Sequence, residues 1–222
     1  MARVTFIITG FSSFHGVDEN PTEQLIKWLQ LQLRDGGLQH MQQEIEVQVT
    51  DKAAAAAAAH LAAAAVAAPP QPDRQRLVLL HLGVASTATR YQLESRAYNC
   101  ADFRVPDEAG WQPVMEEIEA GRGLGMWVGS RLPLAGVCER LAARGHSVVV
   151  SEDAGRFVCN WAYYRACGLA ERLGMEAIFV HVPPFTVFGE DKQRAFILDV
   201  IQVIADVLYL PQPGKTYGNV VA

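Results

Sequence analysis

The chain has no pair of cysteines separated by two intervening residues and no group of histidines at the spacing of a zinc site. Its four cysteines, Cys100, Cys138, Cys159 and Cys167, are scattered over residues 100–167 of a chain of 222. Structural zinc sites and dithiol redox motifs need closely spaced thiols or imidazoles, so neither class is expected, and no metal or other cofactor is predicted. A run of about 20 apolar residues of membrane type is also missing, so no membrane-spanning helix is predicted.

Positive charge is scarce as well. Lys and Arg together number 19 against 24 Asp and Glu, which gives a formal net charge of -5. This balance offers no basic surface for phosphate backbones or anionic lipids, so we expect neither nucleic acid nor membrane as a partner. The opening residues, MARVTFIITGF, are too short for a signal peptide and are soon interrupted by Gly10, so we expect a cytoplasmic protein with reduced thiols.

Half of the residues are hydrophobic, which is enough for the core of one domain of this length. Apolar or alternating runs predict strands that alternate with helical segments, and this order is typical of an α/β fold with a mostly parallel sheet. The predicted strands are 4–9, 43–50, 77–82, 147–150 and 177–182. The predicted helices begin at Pro21, Lys52, Leu134, Cys159 and Asp191. We expect one domain over residues 1–210 and a disordered tail over 211–222.

The second predicted helix, Lys52–Ala68, is almost pure alanine, and no function is assigned to it. Residues 84–113 are interpreted as one long irregular loop and residues 113–132 as a second, flexible loop. The second loop contains GRGLGMW, but this spacing lacks the last glycine of the dinucleotide fingerprint and no strand precedes it.

A thiol and an imidazole stand at strand and helix ends. Cys159 lies where a helix should begin after the strand 147–150, and His181 lies near the end of the strand 177–182. A helix start favours the thiolate, which is the form that attacks carbonyl groups. The pair therefore suggests a cysteine hydrolase, although a cysteine in an amphipathic segment is more often a small core residue.

Three further residues join this pair at the ends of predicted strands. Phe11 and Phe14 follow the first strand, and Glu94 lies in the long loop after the third. Ligand sites of parallel sheets lie outside the carboxyl ends of the strands, so a shared site is predicted there. The two rings could equally cover the end of the sheet. Glu94 could orient the imidazole, but several other acids share its loop.

Four blocks of the sequence resemble pyroglutamyl-peptidase I, the cytosolic cysteine peptidases also called pyrrolidone-carboxylate peptidases. They are similar to the family in order and spacing, over about residues 4–205, and look most like eukaryotic, plant-type members. The blocks are ITGFSSFHGVDENPTE (8–23), HLGVASTATRYQLESRAYNCADFRVPDEAGWQP (81–113), SEDAGRFVCNWAYY (151–164) and FVHVPPF (179–185).

The resemblance implies a three-layer α/β/α sandwich of the phosphorylase/hydrolase type with a mixed, mostly parallel sheet. It also implies an omega-peptidase that removes N-terminal pyroglutamate from peptide substrates without a metal. Cys159 matches the family nucleophile, His181 its general base and acid, and Glu94 the acid that orients the histidine.

The resemblance further implies a substrate pocket formed by Phe11, Phe14, Asn20, Val84, Arg104, Phe157 and Val158. Phe11 and Phe14 match the aromatics that sandwich the pyrrolidone ring, and Asn20 matches an asparagine that braces the pocket loops. A plain helix cap also explains Asn20. Val84 departs from the family, because bacterial members carry a glutamine there.

That departure leaves two alternatives open. The chain could bind pyroglutamyl peptides without cleaving them, or it could be a cysteine amidase for another small cyclic acyl group. The family contains both monomers and homo-oligomers, so the sequence leaves the oligomeric state open.

Overall fold

The structure, a computed structural model of the chain, describes residues 3–12, 19–35, 45–50, 75–107 and 109–209. The strands of the large central sheet are β1 (Arg3–Thr9), β2 (Ile45–Thr50), β3 (Gln75–Val84), β4 (Tyr91–Glu94), β7 (Val148–Ser151) and β8 (Glu176–Val182). A small second sheet pairs β5 (Arg96–Tyr98) with β6 (Trp127–Gly129) in antiparallel fashion.

Six of these strands form the large sheet in the spatial order β2-β1-β3-β8-β4-β7. The first four run parallel, β4 runs antiparallel to β8, and β7 runs parallel to β4. The prediction of a mixed, mostly parallel sheet is confirmed. Because β8 lies between β3 and β4, its last residues have a neighbour on each side.

Two layers of helices cover the sheet. The helices are α1 (Pro21–Arg34), α2 (Leu134–Ala143), α3 (Val158–Leu173) and α4 (Glu190–Tyr209). Buried side chains of α1, α2 and α4 pack on one face of the sheet, and those of α3 pack on the other. Strand β3 is buried on both faces. Leu80 packs on the side of α1, α2 and α4, and Leu79 packs on the side of α3.

Helix α1 begins as its sequence predicts. Asn20 is the N-cap, and its side-chain oxygen accepts a hydrogen bond of 3.0 Å from the main-chain N–H of Thr22. Pro21 occupies the first helical position, where its missing N–H costs nothing. Leu25 and Leu29 are fully buried against the sheet, as expected from their helical spacing.

The interpretation of 84–113 and 113–132 as irregular loops is wrong in part. The first segment contains β4 and β5, and the second contains β6. These strands are only three or four residues long, so their alternation is too brief to stand out from the polar residues around them. The missed strand β4 matters most, because it carries Glu94 into the large sheet.

Three of the sequence predictions lie outside the described residues. They concern Phe14, the alanine-rich segment 52–68 and the tail 211–222. Over the ranges that are described, none of the helices combines the length and the hydropathy needed to cross a membrane.

Candidate active site

The site lies on the face of the sheet that α3 covers, at the ends of β3 and β8. Gly83 on β3 stands opposite His181 on β8 in the parallel ladder, and His81 stands opposite Phe179 two residues earlier. Side chains two residues apart on a strand share a face, so Phe179 and His181 both point toward α3.

His181 and Glu94 form a buried pair. The Nδ1 atom of His181 lies 2.8 Å from Oε1 of Glu94, and the glutamate side chain is completely buried. Glu94 stands opposite Phe179 in the antiparallel β4–β8 ladder, which makes it the diagonal neighbour of His181 on the same face. Such neighbours lie within reach of long side chains, so the antiparallel strand explains why the two groups meet.

Cys159 reaches the same place from α3, as the second residue of that helix. A Cβ atom added to Gly83 would lie 3.2 Å from the Cys159 sulfur and 2.6 Å from Cζ of Phe179. The thiol therefore lies against the end of β3, in space that any side chain at position 83 would occupy. This role of Gly83 is not visible in the sequence, where the only signal is a glycine at the end of a predicted strand.

Cys159 and Glu94 control the protonation of His181. Burial lowers the pKa of the imidazole, but hydrogen bonding and charge interaction with Cys159 and Glu94 outweigh burial and raise that pKa to about 9. At neutral pH the ring is therefore held as an imidazolium between the sulfur and the carboxylate. An imidazolium beside a thiol favours the thiolate, so the three groups together can generate and hold a nucleophile.

The turn before α3 sets the position of the thiol. Gly155 adopts a positive φ of 80°, which a side chain would strain, and its N–H donates to Oδ1 of Asp153 at 3.0 Å. The main-chain carbonyl oxygen of the next residue, Arg156, accepts a hydrogen bond of 2.9 Å from the main-chain N–H of Asp102. These contacts fix the chain immediately before Phe157, the N-cap of α3.

Two of the predicted pocket residues, Phe11 and Asn20, are connected by hydrogen bonds at the end of β1. The half-buried ring of Phe11 lies 6.1 Å from the ring of Phe179, measured between centroids. The buried amide of Asn20 donates to the carbonyl oxygen of Ser12 at 3.0 Å, while the Thr22 hydroxyl accepts from the N–H of Phe11. The start of α1 therefore holds the chain on which Phe11 stands.

The other predicted pocket residues lie at the start of α3, beside it, or at the end of β3. Phe157 and Val158 are half-buried and directly precede Cys159. The guanidinium of Arg104 is exposed and lies 5.6 Å from the centroid of the Phe157 ring. Val84 is half-buried and stands opposite Val182 at the end of the β3–β8 ladder.

The expectation that ligand sites lie outside the carboxyl ends of parallel strands explains only part of this arrangement. It accounts for Phe11 and His181, because β1 and β8 run in the same direction. It does not account for Glu94 and Cys159. Glu94 ends β4 and Cys159 follows β7, and both of these strands are antiparallel to β8. A loop and a helix start bring Cys159 back to the end of β3.

One buried titratable group lies beside the site without joining the three. His81 is buried in the sheet. Its Nδ1 atom lies 2.6 Å from the hydroxyl oxygen of Thr9, and its ring is stacked on that of Phe179 with the centroids 6.1 Å apart. Burial lowers the pKa of His81 to about 4, so it is neutral at physiological pH. Within the described ranges, no group of three or more His, Cys, Asp or Glu side chains is placed to hold a metal ion.

Comparison with known proteins gives consistent matches. The family model described as pyroglutamyl peptidase matches residues 4–196. The chain is 30% identical to the pyrrolidone-carboxylate peptidase of Clavibacter michiganensis, over 85% of this chain and 83% of that protein. It is 27% identical to the pyrrolidone-carboxylate peptidase of Thermococcus litoralis, over 80% of this chain and 75% of the relative.

The solved structures that resemble this chain carry the same family names as the sequence relatives. The pyrrolidone carboxyl peptidase from Thermococcus litoralis superposes with a TM-score of 0.73 at 25% identity, over 92% of this chain and 94% of that one. The pyroglutamyl peptidase I of Bacillus amyloliquefaciens gives a TM-score of 0.70 at 25% identity, over 90% of this chain and 96% of that one. These relatives are bacterial and archaeal, so the likeness to eukaryotic members stays a prediction.

Proposed function

The chain belongs to the pyroglutamyl peptidase family, and from this premise we propose that it hydrolyses the amide bond after an N-terminal pyroglutamyl residue of peptides. The observation that carries the proposal is the half-buried Cys159 thiol beside the buried His181–Glu94 pair on the α3 face of the sheet. The order thiol, imidazole, carboxylate is the one that nucleophilic acyl transfer requires.

In the proposed reaction the Cys159 thiolate attacks the pyroglutamyl carbonyl carbon. The C–N bond then breaks, and the imidazolium of His181 gives its proton to the leaving amine. The same imidazole, now neutral, takes a proton from water, whose oxygen attacks the thioester and releases pyroglutamate. Glu94 keeps Nδ1 of the ring occupied, so that Nε2 is the nitrogen available to sulfur, amine and water.

The negative oxygen of the tetrahedral intermediate would be held at the start of α3. The first N–H groups of a helix have no partner inside the helix, and the N-cap residue Phe157 supplies no side-chain acceptor for them. These N–H groups and the positive end of the helix dipole favour an anion beside Cys159. One such donor typically raises the rate by a factor of about 10²–10³.

Specificity for a neutral lactam follows from the apolar surroundings. Phe11 lies next to Phe179, and Phe157 and Val158 precede the thiol. A free α-ammonium group would lose its water shell among these groups without a compensating charge, which is costly. We expect Phe14 to add the second wall that stacks on the lactam ring, and the exposed Arg104 to lie at the entrance.

The test is release of aminomethylcoumarin from its pyroglutamyl conjugate by the wild type and by Cys159→Ala, in a reducing buffer. Cleavage by the wild type alone supports both the substrate class and the nucleophile. Equal cleavage by both proteins would remove Cys159 from the chemistry. A folded wild type that releases nothing would favour the two alternatives, a binder or an amidase for another cyclic acyl group, which a panel of acyl conjugates separates.

A cytoplasmic setting is part of the proposal. The free thiols of the described part, Cys159 included, would then stay reduced. Fractionation of cells that produce the tagged chain tests this, since a signal in a membrane or secreted fraction would contradict it.

A further inference from the structure

Two side chains of α3 bind the main chain of the segment that carries Glu94. The amide of Asn160 accepts from the N–H of Tyr98 at 2.8 Å and donates to the carbonyl oxygens of Tyr98 and Cys100, each at 2.9 Å. One turn later, the hydroxyl of Tyr163 donates to the carbonyl oxygen of Glu94 at 2.7 Å.

Both side chains are completely buried. Burial raises the pKa of the Tyr163 phenol well above its usual value, so the hydroxyl stays protonated and keeps its role as a donor. A buried donor or acceptor that loses its partner cannot replace it with water, which makes these contacts persistent. They form a fixed link between α3 and the chain from Glu94 to Cys100.

The spacing along α3 gives this link a catalytic consequence. Tyr163 follows Cys159 by four residues, so the phenol and the thiol lie one above the other on the same face of the helix. The thiol faces His181, His181 binds the side chain of Glu94, and the main chain of Glu94 binds Tyr163. The contacts therefore close into a ring that returns to the helix that bears the thiol.

We propose that Tyr163, with Asn160, is a positioning residue that fixes the distance between the Cys159 thiol and the Glu94–His181 pair. Without the hydroxyl, Glu94 could shift along the helix surface, and His181 would follow its carboxylate away from the sulfur. A displacement of about 1 Å can cost a hundredfold in rate, so a contact that touches neither substrate nor reacting atom can still control catalysis.

The competing reading is that Tyr163 only fills the core. Its ring lies 5.8 Å from that of Phe179 and would pack there with or without the hydroxyl. The variant Tyr163→Phe separates the two readings, because it keeps the ring and removes only the oxygen. The neighbouring Tyr164→Phe is the matched control, because the Tyr164 hydroxyl lies 3.3 Å from Oε2 of the exposed Glu119, away from the three groups.

The experiment measures the rate constant for alkylation of Cys159 by iodoacetamide between pH 5 and 9, with Cys159→Ala as the blank. Burial raises the pKa values of Cys100, Cys138 and Cys167, so these thiols react slowly in this range. For Tyr163→Phe we expect alkylation at pH 7 to fall by about tenfold, with a profile displaced to higher pH. Tyr164→Phe should match the wild type.

Turnover gives a second readout. The proposal expects kcat of Tyr163→Phe to fall by about tenfold while KM changes by less than about twofold, because the pocket is not altered. An alkylation profile of folded Tyr163→Phe that coincides with that of Tyr164→Phe would overturn the proposal. If Tyr163→Phe does not fold, Asn160→Asp keeps the acceptor for Tyr98 and loses both donors, and a wild-type profile there would overturn it equally.

The inference rests on the proposed function only for the kcat readout. Alkylation needs no peptide substrate, so a protein that fails to cleave pyroglutamyl conjugates can still show whether Tyr163 sets the state of the thiol.

Discussion

His181 and Glu94 meet across the antiparallel ladder of a sheet whose other strand pairs are all parallel, among the strands described. The 2.8 Å contact between Nδ1 and Oε1 joins two side chains that lie diagonally on one face. Reversal of β4 therefore supplies the imidazole with a fully buried acceptor from within the sheet, rather than from a flexible loop at its edge.

The variant Glu94→Gln should lower kcat by about a hundredfold or more, because the ring loses the charge that holds its tautomer and stabilises its protonated form. The pH profile tests the same contact. The wild-type kcat/KM should decline on the alkaline side near pH 9, where His181 loses its proton, and the decline should move to lower pH in the variant. An unmoved alkaline limb would mean that His181 does not control it.

Gly83→Ala should damage stability and activity together. The new methyl group would lie 2.6 Å from the Phe179 ring and 3.2 Å from the Cys159 sulfur, so ring and thiol must both move. We expect the free energy of unfolding to fall by about 1–3 kcal/mol and turnover by more than about tenfold. Denaturant titration and the coumarin assay measure the two effects.

Gly136→Ala is the matched control for that substitution. Gly136 lies inside α2 and has open space where the methyl group would go, so stability should be unchanged or rise by up to about 1 kcal/mol. If both glycine variants behaved alike, the close approach of Cys159 and Phe179 to Gly83 would not be what matters.

Asn20 should have two separable roles. Asn20→Ala removes the cap of α1 and the contact with the Ser12 carbonyl, so about 1 kcal/mol of stability should be lost and KM should rise. Asn20→Asp keeps the capping oxygen and loses only the donor to Ser12. A raised KM at near wild-type stability in Asn20→Asp would identify the brace, whereas wild-type kinetics there would leave Asn20 as a cap alone.

The two buried histidines should shape stability in opposite pH ranges. The pKa of His181 is raised to about 9. Its contribution to the free energy of unfolding is therefore complete below pH 6.5 and is lost as pH rises toward 9. The pKa of His81 is lowered to about 4, so the unfolded chain binds the proton more readily between pH 6.5 and 4, and stability falls there as pH falls.

The variant His81→Gln isolates the acid range. Between pH 6.5 and 4.5 the wild type should lose about 2 kcal/mol more than the variant, because glutamine takes up no proton. Urea titrations of both proteins at these two values give the difference. Parallel losses in the two proteins would show that His81 is not buried in its neutral form.

The parts of the fold that local rules control could be predicted from the sequence. Asn20 and Pro21 mark the start of α1 because capping depends on neighbouring residues, and the apolar run before His181 is long enough to identify β8. The lone Cys159 could be recognised as a helix-start thiol for the same reason.

The contacts that depend on the assembled sheet could not be predicted. Nothing local marks Tyr91–Glu94 as a strand, and its direction is set by the neighbours it meets. Gly83 differs from other strand-end glycines only because Cys159 and Phe179 approach it. Tyr163 and Asn160 resemble ordinary residues of a buried helix, and their partners are about 60 to 70 positions away.

The order of strands in space has a consequence for synthesis of the chain. Strand β8 is made last, yet it lies between β3 and β4, so the sheet stays open in the middle until residues 176–182 have left the ribosome. Long-range pairings of this kind form slowly. Until the insertion is complete, His181 does not lie beside Cys159, and a half-made or truncated chain lacks the pair of groups that the proposed reaction needs.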